Sequence, residues 1–477
     1  MVTIPLAGGS YTSRSTTFDA ERTVNLYTEI AESTGAKQQA ALYGRPGLFT
    51  RWTLSIGSGG IRGLHRDPRT SRVFAVQNTG FVELHSNGTS TLRGTLGSST
   101  GTVSMDSNDT QVLIVDGQAT QGYVFTLSTD TFTTITDLDF YGADTVAYIG
   151  SYFVLNRPDT AQFYQSAQND GLTYNGIDIS TADAGPDLLQ GVYSDTRNLW
   201  LIGTESTEVW FNSGAPVGVS FDRIDGAILP AGAVNPHAVA VLGQIVAWMG
   251  TTRDGTVTVF RGETNTLNRI ATHAVEFSIS GWGALDTVRA YAYEQEGHQF
   301  FVWTHPNGTW VFDAATGIWS EWESYDDLDV LGRHRVCCHT VGFDMHLGGD
   351  YNDGRIYEMD LDTYTDDGDP IVRQRRLPVL ADGRRWVRHI QLEVDFERGV
   401  GLDGAPPEGV DPTITMQYSD DHGKTWSDER DAAMGALGAY ETRAIWRRLG
   451  RSRNRVYEIT ITDPVKVSLI GAEIELT

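Results

Sequence analysis

The sequence predicts an all-β protein, a β-propeller of six or seven blades with an additional antiparallel β-sandwich domain. Short apolar runs separated by Gly, Asn and Asp turns recur about every 40–50 residues over 51–365, the spacing of propeller blades. After Pro370 the pattern changes to longer strands in which apolar and polar residues alternate, as in a half-buried antiparallel sheet. We therefore divide the chain into residues 1–50, 51–365 and 371–477.

Residues 1–50 follow neither pattern. They contain the runs Val24-Asn25-Leu26-Tyr27, followed by Glu29, and Arg45-Pro46-Gly47-Leu48. The first six residues lack the basic start and long apolar core of a signal peptide. We expect this segment to pack on the C-terminal domain or on a partner protein.

Six units in the propeller region combine an apolar strand, a polar turn and a second strand. An almost continuously apolar strand is typical of one packed on both faces, as between neighbouring blades. A pair of β-sandwiches is the alternative, but each unit needs its neighbours to bury its own face, which favours the propeller. The units are 72–84 with a third strand at 90–92, 112–127, 199–211, 245–260, 299–313 and 343–359.

The C-terminal region begins with the basic run Arg373-Gln374-Arg375-Arg376. Its alternating strands predict a separate antiparallel β-sandwich, completed or tied down by the N-terminal segment. These strands are 390–396, 413–418, 456–461 and 467–476.

The net charge of −25 is unevenly distributed. Residues 371–477 hold 16 Arg and Lys against 17 Asp and Glu, so residues 1–370 carry −24. An acidic surface disfavours binding to phosphate backbones, which argues against a basic nucleic-acid-binding face over most of the chain. Such a surface would let DNA pass without sticking, although solubility alone explains it equally well.

No motif predicts a catalytic residue, a cofactor or a metal ion. The 11 His residues lack metal-ligand spacings, and neither a phosphate-binding loop nor a nucleophile elbow is present. The run Asp366-Asp367-Gly368-Asp369 lacks the distal Glu of a calcium loop, so we interpret it as an acidic linker. The adjacent Cys337 and Cys338 cannot form a bridge of normal geometry, which fits synthesis in a reducing cytoplasm.

The stretch Ser419-Asp420-Asp421-His422-Gly423-Lys424-Thr425-Trp426 resembles an Asp box, the folded hairpin of sialidases and other propellers. In that hairpin the Asp accepts bonds from turn amides, the Gly takes a strained dihedral and the Trp packs beneath. We predict a structural turn built on Ser419, Asp421, Gly423 and Trp426. A sialidase would repeat the motif at blade spacing, whereas this chain has one copy outside the blades.

An arginine-rich stretch near the C-terminus stands out in an acidic protein. It could form a strand-edge ladder paired with acidic neighbours, a subunit contact or a phosphate contact. The −24 charge of the remaining chain favours a contact with another protein subunit, since opposite charges steer association. The assembly residues predicted on this basis are Arg443, Trp446, Arg447, Arg448, Arg451, Arg453 and Arg455.

Both ends of the chain resemble the packaged-DNA stabilization proteins, the tail hub or nozzle family of short-tailed bacteriophages. At the C-terminal end the resemblance lies in Trp446-Arg447-Arg448-Leu449-Gly450-Arg451-x-Arg453-x-Arg455-Val456, Thr462-Asp463-Pro464-Val465 and Gly471-Ala472. At the N-terminal end it lies in Val24 to Glu29 and Arg45 to Leu48. The middle matches only in length and in its repeated β pattern.

The resemblance implies a non-enzymatic virion tail protein, made in the host bacterial cytoplasm. Its copies would form a ring, a hexamer, below the portal and its head-completion adaptor, on which the N-terminal segment could also pack. The ring would extend the channel, retain packaged DNA and anchor a tail fibre or spike and a plug or needle. Double-stranded DNA would pass through without specific binding during genome ejection.

Two other functions are compatible with the sequence. The Asp-box-like turn and 12 Trp would suit a carbohydrate-binding or glycosidase-type propeller, which would need an aromatic cleft with converging carboxylates. A receptor-binding tail fibre is disfavoured, because the chain has no coiled-coil or low-complexity stretch.

Overall fold

Nearly every element of the computed structural model is a β-strand. It describes residues 2–33, 35–117, 121–183, 185–215, 217–252, 254–383, 385–404 and 408–477. In these residues two short helices, His273–Ser280 and Leu285–Thr287, connect two blades, and no helix is long and apolar enough to cross a membrane. The strands form a propeller and a β-sandwich, so the predicted fold class is confirmed.

Six blades follow one another along the chain, and each is an antiparallel sheet. The first strands of the blades line a central cavity, with two short strands sharing that position in blade 5. Blades 1 to 3 consist of Ile61–Arg66, Val73–Gln77, Gly80–Leu84 and Ser90–Thr95; Ser104–Ser107, Gln111–Val115, Tyr123–Thr126 and Thr131–Thr134; and Val146–Ile149, Tyr152–Asn156, Gln162–Ala167 and Asp170–Thr181. Blades 4 to 6 consist of Leu189–Ser194, Asn198–Gly203, Thr207–Asn212 and Phe221–Leu229; Gly232–Ala233, Val239–Leu242, Ile245–Thr251, Val257–Glu263 and Thr266–Arg269; and Arg289–Gln295, His298–His305, Gly308–Asp313 and Ile318–Glu321.

A seventh, composite blade closes the ring. Its fourth strand is Gly47–Thr53, which comes from the N-terminal side of the chain and spans the predicted boundary at residue 50. Its other strands are Val336–Gly342, Met345–Asp350 and Arg355–Asp360. The first of these packs against Ile61–Arg66 of blade 1. Strands from both ends of the propeller region therefore meet in one sheet.

Blade 3 is the repeat that the six sequence units omit. Its strand Gln162–Ala167 carries Gln165 and Ser166, both buried, and its outer strand Asp170–Thr181 alternates irregularly. Because buried polar groups interrupt the apolar run, this blade lacks the pattern that identifies the others.

The propeller core lies between neighbouring blades. Phe74 and Phe81 of blade 1 meet Phe125 of blade 2, with ring centroids 5.4 and 5.5 Å away. Trp200 of blade 4 lies edge-on to Trp248 of blade 5 at 6.4 Å. Each blade thus buries its faces against its neighbours. A single unit could not bury these faces by itself.

The sandwich encloses one apolar core between two sheets, with Trp446, Tyr457 and Ile474 among its buried residues. One sheet contains Val2–Ile4, Leu26–Ile30, Ala40–Gly44, Val387–Phe396, Ala444–Arg447, Arg451–Ser452 and Ser468–Leu476. The other contains Tyr11–Thr12, Ala20–Val24, Arg373–Arg376, Leu380–Ala381, Thr413–Ser419, Arg430–Ala433 and Asn454–Ile461. A separate short pair is formed by Glu323–Tyr325 and Leu331–Arg333. A second pair, Thr365–Asp366 with Asp369–Pro370, extends the blade 7 sheet, because Asp366 pairs parallel with Leu48.

One N-terminal strand joins the two domains. Ala20–Val24 pairs antiparallel with Arg373–Arg376 of the sandwich and, at Val24, parallel with Glu321 of blade 6. The sheet of blade 6 therefore continues without a break into the sandwich.

A buried ion pair lies at this junction. Arg45 donates to both carboxylate oxygens of Asp366, Nη1 to Oδ1 at 2.9 Å and Nη2 to Oδ2 at 2.5 Å. Its Nε donates to Asn25 Oδ1 at 2.8 Å, and Ser324 Oγ donates to the same Asp366 carboxylate at 2.7 Å. The side chains of Arg45 and Asp366 are 0% and 1% exposed. Asn25 has a positive φ of 55°, and this backbone conformation places its side-chain amide in the cluster.

The basic run at 373–376 is also part of the junction. Arg375 is buried and donates to the backbone oxygens of Leu6 and Gly9 and to Thr23 Oγ1, at 2.7, 3.1 and 3.0 Å. It also forms an ion pair with Glu21. These bonds tie the N-terminal segment to the sandwich.

A histidine joins an N-terminal strand of the sandwich to blade 6. His298 Nδ1 lies 2.8 Å from Asp313 Oδ2, and its Nε2 lies 2.7 Å from Glu29 Oε2. The hydrogen bond to Asp313 and the second one to Glu29 raise the pKa of His298 to about 8. The imidazolium form therefore holds the two carboxylates together at neutral pH.

We predict that Arg45→Ala lowers the free energy of unfolding by about 3–5 kcal/mol, because it leaves the Asp366 carboxylate buried without its partner. The control is Arg51→Ala, which removes a 44%-exposed side chain paired with Glu358 and should cost about 0–1 kcal/mol. Urea unfolding followed by circular dichroism measures both. The double variant Arg45→Met with Asp366→Leu should be more stable than Arg45→Ala, because it leaves no buried charge unpaired. Equal losses of unfolding free energy in Arg45→Ala and Arg51→Ala would contradict the prediction.

We predict a pH-dependent stability from His298. Its pKa is higher in the folded protein than the ordinary 6.5, so its contribution is complete below pH 6.5 and is lost as pH rises through 8. The loss is about 2 kcal/mol between these limits. Unfolding at pH 6 to 9 should show this decline in the wild type and in His273→Gln, which removes a side chain that is 79% exposed, but not in His298→Gln. An unchanged pH slope in His298→Gln would rule the histidine out.

Candidate assembly surface

The predicted arginine stretch crosses both sheets of the sandwich, and two of its residues point inward. Trp446 is 3% exposed and packs in the sandwich core. Arg455 is 2% exposed and donates from Nε and Nη2 to the Asp420 carboxylate at 2.6 and 2.8 Å. Its guanidinium also lies 3.9 Å from the centre of the Tyr418 ring. In this chain, both side chains contact the sandwich itself.

Three other predicted residues, on or next to strand Ala444–Arg447, are exposed. Arg443 pairs with Glu393 at 2.7 Å, and Arg447 Nε donates to Gln391 Oε1 at 3.3 Å. Arg448 takes a φ of 60°, and its backbone amide donates to Ile390 O at 2.9 Å. Arg443 thus forms the pairing with an acidic neighbour that the strand-edge alternative predicts. The side chain of Arg448 is exposed to solvent.

The remaining pair, Arg451 and Arg453, meets a residue that the sequence argument missed. Their guanidinium carbons lie 5.0 and 5.2 Å from the centre of the Trp386 ring, which is 56% exposed. Arg388 lies opposite Arg451 in the sheet register, and Arg385 precedes the tryptophan. We call Arg385, Trp386, Arg388, Arg451 and Arg453 the arginine–tryptophan face.

The face has a strong positive charge. All five of its side chains are exposed, and within the described part of the chain none of its four arginines forms an ion pair with a carboxylate. The charge is therefore available to a partner. The sequence signal was the run Arg384-Arg385-Trp386-x-Arg388, of which Arg384 lies outside the described residues.

Trp and Arg are the residues that most often dominate the binding energy of protein interfaces. A guanidinium stacked on an indole keeps its planar fork free to take a carboxylate in two hydrogen bonds. The face can thus bind an acidic protein surface without first breaking internal contacts.

The Asp-box-like stretch is a hydrogen-bonded turn at the end of strand Thr413–Ser419. The Asp421 carboxylate accepts from the amides of Lys424 and Thr425 at 2.9 and 2.8 Å, and from the Thr425 hydroxyl at 2.7 Å. These bonds, led by the Thr425 hydroxyl, lower the pKa of Asp421 below its ordinary value. Ser419 Oγ accepts from the Gly423 amide at 2.7 Å, where φ is 88°.

The tryptophan of this turn, Trp426, is half-buried and lies under Arg376 at 4.9 Å. Asp421 is engaged by its own loop, and the neighbouring Asp420 pairs with Arg455. The geometry is that of a fold element.

The acidic linker also has internal partners. Asp366 pairs with Arg45, and Asp369 Oδ2 lies 3.3 Å from Arg335. Asp367 pairs with Arg355 at 3.3 Å. Within the ranges that the structure describes, no group of three or more His, Cys, Asp or Glu is arranged to hold a metal ion.

The central cavity of the propeller has a volume of about 300 Å³. The side chains around it include Arg62, His237, Arg289, Cys337 and His339. None of the described residues that line it is Asp or Glu.

Comparison with known proteins identifies the family. A family model described as "Bacteriophage P22 Gp10, beta-propeller" matches residues 2–364, and a second, "Bacteriophage P22 Gp10, beta-sandwich", matches residues 373–477. No curated protein matches the chain.

Solved structures align only weakly. A chain of the mitotic checkpoint complex aligns with 10% identity and a TM-score of 0.42, covering 63% of this chain and 89% of its own length. The extracellular domain of a hybrid two component system from B. thetaiotaomicron gives 10% identity and 0.45, covering 75% and 45%. The computationally designed Ika8 protein gives 11% and 0.37, covering 65% and 99%.

The two family models together span almost the whole chain and agree with the resemblance at its two ends. They also agree with the order of the domains, a propeller followed by a sandwich. The chain belongs to the bacteriophage P22 Gp10 family of packaged-DNA stabilisation proteins.

Proposed function

We propose that this protein is a non-enzymatic tail hub, or nozzle, that assembles side by side with copies of itself into a ring below the portal and its adaptor. The observation that carries the proposal is the arginine–tryptophan face, an exposed basic surface on a chain whose first 370 residues carry −24. Opposite charges on two parts of one molecule favour contact between one copy and the next.

The contact that we propose is head to tail. The arginine–tryptophan face of one copy binds acidic side chains in residues 1–370 of its neighbour. A contact between two different surfaces of identical subunits generates a ring when its rotation closes, whereas a self-complementary contact stops at a dimer. A closed ring of six copies is the expected assembly.

The junction between the domains supports this role. The continuous sheet through Ala20–Val24, the Arg45–Asp366 pair and the His298 contacts fix the sandwich relative to the propeller. A subunit whose two binding surfaces keep a fixed angle closes into a ring of defined size. We propose that the ring extends the channel, retains the packaged DNA and anchors a fibre or spike and a plug or needle.

Passage of DNA follows from the same charge distribution. An acidic channel wall repels phosphates, so a duplex would slide past without specific binding while a plug blocks its exit. A ring whose bore is neutral or basic would contradict this part of the proposal.

A variant with Trp386→Ala, Arg451→Gln and Arg453→Gln should lose ring assembly, because it removes the stacked cations and their support. We expect at least a tenfold weaker association, about 1.4 kcal/mol, of purified protein with itself or with the portal–adaptor complex. The matched control is Arg51→Gln, which removes an exposed arginine lying 4.8 Å over the Phe49 ring on the propeller. Mass photometry at low and high salt measures assembly, and circular dichroism checks folding. If the folded triple variant assembles normally, the arginine–tryptophan face is not the contact.

The proposed location has its own test. Purified phage particles should contain the chain in a fixed multiple of the portal ring, and cryo-electron microscopy should place it in the tail. Absence of the chain from infectious particles, or turnover of a glycoside by the purified protein, would refute the tail-hub function.

A further inference from the structure

Three arginines meet at one opening of the central cavity, and none of them takes part in the proposed assembly contact. Arg62 and Arg289 belong to the first strands of blades 1 and 6, and Arg333 lies just before the first strand of blade 7. Arg289 and Arg333 line a cleft of about 480 Å³ together with Tyr351. Arg62, Arg289 and Tyr351 line an adjoining space of about 310 Å³. We call these four residues the axial mouth.

Their donors are engaged to different degrees. Arg62 is saturated, because its guanidinium donates to Asn78 O, Ser98 O and Gly101 O at 2.7–2.8 Å and to other acceptors of the same loop. Arg289 uses only Nη1, which donates to Ile61 O at 3.1 Å and to Cys337 Sγ at 3.3 Å.

Arg333 makes no hydrogen bond within the described residues. Its guanidinium carbon lies 4.1 Å from the centre of the Tyr351 ring, and its Nε is buried without an acceptor. The fork formed by its two terminal nitrogens is therefore not engaged by the protein.

None of the three arginines pairs with a carboxylate among the described residues. Asp116, Asp144 and Asp286 line the same cleft. Asp116 accepts a bond from Ser98 Oγ, Asp144 accepts one from Asn156 Nδ2 at 2.8 Å, and Asp286 is exposed. Burial lowers the pKa of Arg62 and of Arg333. Asp116 opposes that shift at Arg62, and Cys337 and Tyr351 oppose it at Arg333, while the charge of Arg289 adds to the lowering on both. Arg289 and Arg333 are half-buried like charges with no carboxylate of the described residues bonded to either, so an anion placed between them would be favoured.

We propose that the axial mouth binds a small oxyanion of the phosphate class. The free donors of Arg289 and the fork of Arg333 would take two of its oxygens, since guanidinium groups bind phosphate in pairs of parallel hydrogen bonds. A cleft of a few hundred Å³ admits inorganic phosphate or a nucleoside monophosphate but not a DNA duplex. The bound anion would bridge blades 6 and 7, next to the point where blade 7 meets blade 1 and the ring closes.

The test is calorimetric titration of the full-length protein with sodium phosphate at constant ionic strength, with sodium chloride as the blank. Phosphate should bind and should raise the thermal midpoint in proportion to the logarithm of its concentration above the dissociation constant. Arg333→Gln should weaken binding about tenfold or more, and Arg333→Lys, which keeps the charge without the fork, should lie between.

The matched control is Arg157→Gln. Arg157 is also half-buried and lies over a tyrosine, 4.4 Å from the Tyr141 ring centre, but in blade 3 away from the axis. Its replacement should leave phosphate affinity unchanged.

A second arm replaces phosphate with deoxyadenosine monophosphate. Tighter binding of the nucleotide would assign the phosphate to a nucleotide, and tighter binding of inorganic phosphate would assign it to the free ion. The proposal fails if the wild type binds neither ligand at millimolar concentration, whatever the variants do. It also fails if Arg333→Gln and Arg157→Gln bind phosphate as tightly as the wild type.

Discussion

The whole molecule depends on the buried charge of Arg45. Its guanidinium contacts parts of the chain that are far apart in sequence: Asn25, the segment after blade 6 at Ser324, and Asp366 beyond blade 7. A buried guanidinium is tolerated only where each part supplies its acceptor, so the propeller, the linker and the N-terminal segment must be in place together. The two runs that resemble the family at the N-terminal end, around Asn25 and Arg45, are thus explained by the domain junction.

The contacts at this junction hold the two domains in a fixed orientation. Strand Gly47–Thr53 closes the propeller two residues after Arg45, while Ala20–Val24 continues the sheet of blade 6 into the sandwich. A domain pair joined only by a flexible linker would be free to rotate. Here backbone pairing, an ion pair and the His298 contacts all cross the boundary, and this suits a subunit that must present its surfaces at a constant angle.

Arginine side chains have different roles in this protein, depending on their burial and partners. Arg375 and Arg455 are buried and hold loops and strands through carbonyl and carboxylate acceptors. Arg451 and Arg453 lie outside on Trp386, and Arg333 lies on Tyr351 at the propeller axis. Of these five arginines, Arg451, Arg453 and Arg333 keep donors free for another molecule. In an acidic chain, these unpaired cations are where recognition of an acidic subunit or a phosphate is expected.

The sequence by itself determined the fold class, because blade spacing and strand alternation are local patterns that each segment carries alone. The sequence pattern does not reveal blade 3, because its buried Gln165 and Ser166 break the apolar run. The arginines of 443–455 form one group in the sequence only because they are close along the chain. Only the tertiary structure decided their roles. Arg455 meets Asp420 and Arg45 meets Asp366, 321 residues away, whereas Arg451 meets Trp386 and no carboxylate among the described residues. Whether a charge is neutralised depends on neighbours that folding brings together, and a one-dimensional pattern does not contain that information.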